Sequence, residues 1–285
     1  MLVDILSAVV RALSFVAQFQ AAGIVLFLAL FDRHLAASLI PIRRIAVSSA
    51  LAGALLVAAH YSLEAARMAG ELAGVFDASL QSLVLHSDMS KASVLRASGL
   101  LLMAVGFASH STRSRAAALL GAALVLIAFT LVGHTAVSEQ RAWMAPLLLV
   151  HLLIVAFWFG ALAPLYIVCA RETTQLASAL IERFSRIAAW LVPGIFIAGA
   201  LLTWLLVPNW SVFTQPYGEL LLVKIAAFAV LMGLATLNKW RYGPALLRDA
   251  RAAISLRRVI AIEYALVVGV LAATALMTSF FSPEN

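Results

Sequence analysis

The chain has 285 residues, 64% of them apolar and 12% charged, with a mean hydropathy of +1.02 and a formal charge of +7. A composition this apolar excludes an ordinary soluble domain, and a single cysteine, Cys169, excludes a disulfide framework or a thiolate cluster. The basic residues cluster at helix ends, as the orientation rule for membrane proteins requires, so the positive charge points to the lipid bilayer as partner and not to nucleic acid.

A hydrocarbon core about 30 Å thick takes roughly 20 helical residues, and lipid offers backbone groups no partner outside the helix itself. Apolar runs at 9–31, 44–63, 94–109, 116–138, 144–168, 187–207, 217–238 and 259–281 therefore predict an all-α fold. The expected architecture is a polytopic membrane helix bundle of eight transmembrane helices forming a single domain over 1–285. Arg11 is the only basic residue near the start of the first apolar run and no convincing cleavage site follows the run, so that segment is read as a retained helix.

The third run is short and carries Arg96. Without it, the basic loop 239–258 would change sides relative to the loop holding Arg33, Arg43 and Arg44. With it, the loops 32–43, 110–115, 169–186 and 239–258 share one side and hold most of the Lys and Arg residues. That side is expected to be cytoplasmic, in a bacterial inner membrane, with both termini periplasmic. The connection 64–93 mixes apolar residues with Asp77, His86, Asp88 and Met89, and predicts an interfacial or partly re-entrant helix over the outer mouth. There is no internal repeat of the kind many transporters show, and no nucleotide-binding loop. Nothing suggests an enzyme.

Against this background the buried polar residues stand out. His60 lies near the outer end of the second run, His134 near the outer end of the fourth, and His151 about two turns into the fifth, so all three fall in one leaflet. Intramembrane histidines either hold helices together by hydrogen bonds or form a ligand site, and three at one depth favour the site. Imidazole suits copper, zinc and haem iron, whereas oxygen-seeking metals want carboxylates. Reduced copper also accepts thioether sulfur, which adds Met89 and Met144, with His86, to the candidate ligands, although methionine more often serves packing. His34 and His110 fall at the cytoplasmic boundary and are left out.

Four further residues have two readings each. Gly133 beside His134 admits either a ligand or a neighbouring helix. Trp158 lies seven residues after His151 on the same helix face and floors the site or faces core or lipid. Glu263, about one turn into the last helix, is expected to answer Arg183, Arg186 or Lys239, the alternative being a step on an ion path. Lys224 neutralises Glu64 or Glu219, or binds an anion.

The second half of the chain resembles the copper resistance D family of inner-membrane proteins. The blocks are Gly133-His134-Thr135-Ala136, the stretch Leu149 to Leu165, Glu182-Arg183-Phe184-Ser185-Arg186, Tyr217 to Lys224, and Glu263, covering about 130–281. The first half is similar only in hydropathy and length. The resemblance implies a copper ion taken from the periplasm, often beside a periplasmic CopC-like copper chaperone, and passed inward or held. It places the family's helix histidines on His134 and His151, while His60 rests on depth alone. Many members carry an acidic residue three positions before the second histidine, and Leu148 stands there in this chain. Two alternatives remain open: a b-type haem protein using the same histidines as axial ligands, and a membrane anchor for a periplasmic chaperone.

Overall fold

A computed structural model describes residues 1–107, 111–207, 209–247 and 250–281. In chain order the helices are α1 (Leu2–Phe31), α2 (Leu39–Ala69), α3 (Ala78–Leu85), α4 (Asp88–Phe107), α5 (Thr112–Ala128), α6 (His134–Val137), α7 (Arg141–Arg171), α8 (Thr174–Leu206), α9 (Pro216–Leu237), α10 (Gly243–Ala245) and α11 (Ala250–Phe280). Among the described residues there is no strand, and eight helices are long and apolar enough to cross a membrane. The protein is a multi-pass membrane bundle. Several helices outrun the apolar segments that announce them. α8, with 33 residues, spans roughly 50 Å at 1.5 Å per residue, more than the hydrocarbon core needs, and its surplus length is the polar N-terminal part that carries Glu182, Arg183 and Arg186.

Polar contacts between helix ends set the alternation of direction. Arg67 at the end of α2 lies 3.5 Å from Asp4 at the start of α1, and Arg11 donates to the Thr278 carbonyl at the end of α11 at 3.2 Å. At the opposite, basic end the Glu172 carboxylate after α7 accepts from the Ala36 and Ser38 amides at 3.0 and 2.8 Å and from the Ser38 hydroxyl. Burial pushes the Glu172 carboxyl up, but these donors outweigh it and hold the group below its ordinary range.

α1 and α7 form the buried centre. They cross where Gly23 meets Gly160, so closely that a β-carbon on Gly23 would overlap the Ala156 carbonyl and one on Gly160 would overlap the Gly23 backbone. Pro164 lacks the N–H that would bond the Gly160 carbonyl one turn back, and Gln20 Nε2 on α1 fills that role at 3.2 Å. The proline's cost is met by the neighbouring helix. The remaining helices surround this pair. α2, α4 and α5 pack on one side of α1, α8 lies on α7, and α9 lies on α11. α8 and α9 scarcely touch, so a cleft floored by α7 and α11 runs between them. The π-helical turn Asn238–Tyr242 and α10 close the cleft at the basic end by reaching α8.

Two expectations change in detail. The fourth apolar run, read as 116–138, stops being α-helix at Ala128. A short 3₁₀ turn, Phe129–Leu131, follows, and then Gly133 at φ +88°, a left-handed value that only glycine adopts without strain. His134 therefore opens α6, in the turn between the fourth and fifth spans, and is not in a spanning helix. The 64–93 connection is shorter than read, because α2 continues to Ala69 and α4 begins at Asp88. Between them α3 is capped by Asp77, whose carboxylate accepts from the Ser79 and Leu80 amides, and it presents Leu83 and Leu85 outward beside an 89% exposed Phe76. Those apolar side chains suit an interfacial position.

Candidate functional site

His60 sits on the α2 face turned toward α1 and α4, 8% exposed, with its Nε2 lacking a hydrogen-bond partner. Glu64, one turn on, approaches that nitrogen to 3.9 Å but is committed to Arg67 at 2.9 Å. Arg11, Arg67 and Arg96 all act on the imidazole, and Arg96 also lies over the Phe129 ring at 4.3 Å. The surroundings of His60 are cationic. That disfavours a metal cation and suits a neutral imidazole buried in a polar knot between helices.

His151 belongs to a different group. Met144, His151 and Trp158 recur every seven residues on α7 and so share one face, each about 10 Å deeper than the last. Met144 is fully buried. The His151 ring packs against α8, its Cε1 and Nδ1 3.6 and 3.8 Å from where a β-carbon on Gly199 would stand, and its Nδ1 is buried without a hydrogen-bond partner. Lys224 on α9 is the charge that acts on it, across the cleft. Lys224 therefore answers neither Glu64 nor Glu219, and among the described residues it forms no ion pair.

His60 and His151 thus share the same half of the bundle but face different helices. The His134 side chain lies outside the described residues, although its backbone at the start of α6 abuts α7. His86 caps α3, donating from Nδ1 to the Ser82 carbonyl at 2.7 Å, and is exposed; Met89 is half-buried. Among the described residues no three His, Cys, Asp or Glu side chains group as a metal site.

A second site lies toward the basic end of the α8–α9 cleft, one step below His151. A cavity of 310 Å³ opens there, lined mainly by apolar side chains of α7, α8, α9 and α11. On its wall Glu263 is only 3% exposed. Its Oε1 accepts from Asn238 Nδ2 at 2.6 Å, and the Trp158 indole N–H is also directed at the carboxylate. Glu263 is thereby separated from the basic residues expected to answer it. Arg183 turns to His34 at 3.3 Å, and Arg186 pairs with Glu182 at 3.0 Å. Lys239 alone of that trio lines the cavity. Trp158 is the floor of this cavity. Asn238 escaped the sequence reading because it sits where the seventh apolar run ends, the place a solvated amide is ordinary; its position inside a π-turn, which widens the helix and re-aims the side chain, shows only in three dimensions.

Residues 178–277 match the family model described as "Copper resistance protein D", and residues 1–144 match the model described as "Copper resistance protein D-like, N-terminal domain". The likeness therefore extends through the first half of the chain, beyond the 130–281 stretch legible from motifs, while 145–177, with His151 and Trp158, lies between the two models. A copper resistance protein D of Pseudomonas syringae pv. tomato is 32% identical over 161 residues, 52% of this chain and 52% of that protein. The chain thus spans about half the length of this curated relative. No solved structure matches.

Proposed function

The chain belongs to the copper resistance protein D family, and from that premise we propose that it handles copper within the membrane, carrying the ion from the periplasm toward the cytoplasm along the α7 face. The observation that supports this reading is the buried His151 imidazole: its Nδ1 has no partner at hydrogen-bond geometry, and the one backbone group that acts on the ring is the Ile195 carbonyl of α8. A buried unpaired imidazole nitrogen costs about 1–3 kcal/mol, and a coordinated ion removes that cost. His134, at the start of α6 against the same helix, is the second ligand in this proposal, with Met144 an outer station. His60, ringed by arginines, keeps at most an accessory role.

Lys224 bears on the identity of the ion. A fixed positive charge opposes a divalent ion twice as strongly as a monovalent one, so the cargo is assigned as reduced, monovalent copper, whose softness suits imidazole and thioether. The repulsion also keeps binding weak enough for release, which transport needs. A periplasmic chaperone as donor, and passive or gradient-coupled movement without catalysis, complete the proposal.

The test is metal analysis of purified protein beside His134→Ala and His151→Ala. Copper that is retained by the wild type and lost in both variants is expected. A Soret band would overturn the reading in favour of haem ligation, and unchanged copper in both variants would overturn the assignment of the site.

A further inference from the structure

The inner cavity supplies none of the copper ligands just proposed. We propose that Glu263 is a proton-binding site in which a proton enters from the basic end, binds the carboxylate and is exchanged as copper moves. This inference rests on the proposed function for its coupling, but not for the site.

The argument starts from unsatisfied atoms. Asn238 donates from Nδ2 to Glu263 Oε1 at 2.6 Å, while Asn238 Oδ1 is buried and accepts from nothing. A carboxylate has no hydrogen to offer that oxygen. A carboxylic acid has one, and acid and primary amide form a paired contact in which the amide N–H donates to one acid oxygen and the acid O–H donates to the amide oxygen. Protonation therefore converts one hydrogen bond and one orphaned acceptor into two hydrogen bonds. The charged state has its own support, from the Trp158 indole N–H and the amide N–H. Both states are accommodated, as an exchanging group requires.

The surroundings leave the proton as the fitting ligand. The site offers one carboxylate and one amide oxygen, far short of the six or more oxygens that a hard cation takes. Lys239, the charged side chain that shares the lining, repels a metal ion. The other polar groups facing the cavity are uncharged: Ser185 from α8 and Thr236 from α9, with Trp158 from α7. The π-turn that aims Asn238 also carries Lys239 and closes the cleft against α8, so opening and proton binding share one element. The step balances simply: a proton adds to Glu263 Oε2 from the basic end and is released again, with no electron transfer.

The test uses the full chain in lipid nanodiscs. Infrared difference spectra across a pH titration are expected to show a protonated carboxyl band that is absent in Glu263→Gln, present in Glu263→Asp, and moved to higher frequency in Asn238→Leu, where the acid loses its amide partner. Persistence of every titrating carboxyl band in Glu263→Gln would overturn the proposal. In proteoliposomes, a pH gradient is expected to change copper uptake by the wild type and to have no effect, a ratio of about one, on Glu263→Gln. An equal response in both proteins would overturn the coupling. If the wild type carries no copper at all, the proposed function fails, and the infrared result still decides whether Glu263 binds the proton.

Discussion

Replacing Gly160 by Ala tests the crossing of α1 and α7 that holds the whole site. A β-carbon there would lie 2.5 Å from the Gly23 carbonyl carbon and 2.8 Å from the Ile24 nitrogen, where non-bonded heavy atoms prefer about 3.5–4.0 Å. The obstructing atoms are backbone, which cannot rotate aside, so the two helices must separate by about 1 Å. Overpacking of this kind costs about 1–3 kcal/mol, and rigid neighbours put the cost near the upper limit. The separation also strains the 3.2 Å bond from Gln20 to the Gly160 carbonyl. Alanine recovers up to about 1 kcal/mol of helix propensity, leaving a net loss of about 2 kcal/mol, or roughly thirtyfold in the folding equilibrium. Gly269 on α11 supplies the control, since nothing lies within 4 Å of its missing β-carbon. Reversible denaturation in mixed detergent micelles should show Gly160→Ala destabilised and Gly269→Ala neutral or slightly stabilised. Equal stability of the two variants would refute the close crossing.

Three further outcomes follow from the geometry. Lys224→Gln removes the cation opposite His151 and should raise copper affinity several-fold, roughly tenfold at most, with little dependence on salt because the pair is buried; titration showing weaker binding would refute Lys224 as an opposing charge. Gly133→Ala meets no side chain, so its effect is backbone strain alone, about 1–3 kcal/mol, read as a lower unfolding midpoint; a midpoint equal to the wild type would contradict the positive-φ, extended backbone before His134. Glu172 is held below its ordinary range when folded. Its contribution to stability is therefore present above about pH 4.5 and is lost as the pH falls toward the folded-state value. Glu172→Gln should flatten the acid limb of the stability profile, and an acid limb as steep as in the wild type would show that the carboxylate does not tie the 36–38 segment to α7.

Several features were legible before any coordinates. Eight apolar runs are eight spanning helices because lipid leaves the backbone no alternative, and Gly133-His134 together with the Glu182 to Arg186 block pointed to the copper resistance D family. Buried polar residues were equally visible as exceptions in an apolar text. Their partners were not. His60 and His151 share a leaflet, yet one is surrounded by Arg11, Arg67 and Arg96 and the other faces Gly199 and Lys224. Glu263 is met by Asn238 and not by Arg183 or Arg186.

The division has one physical cause. Hydropathy measures the cost of leaving water, and in this chain that cost determined how many segments cross the bilayer and roughly where each begins. It cannot say which helix face meets lipid and which meets protein, because lipid tails and apolar side chains are alike as solvents. That choice was made by close packing at Gly23 and Gly160 and by the bonds of Gln20 and Asn238, which set helix rotation and neighbours, and with them the separation of His60 from His151, which one-dimensional depth had placed together.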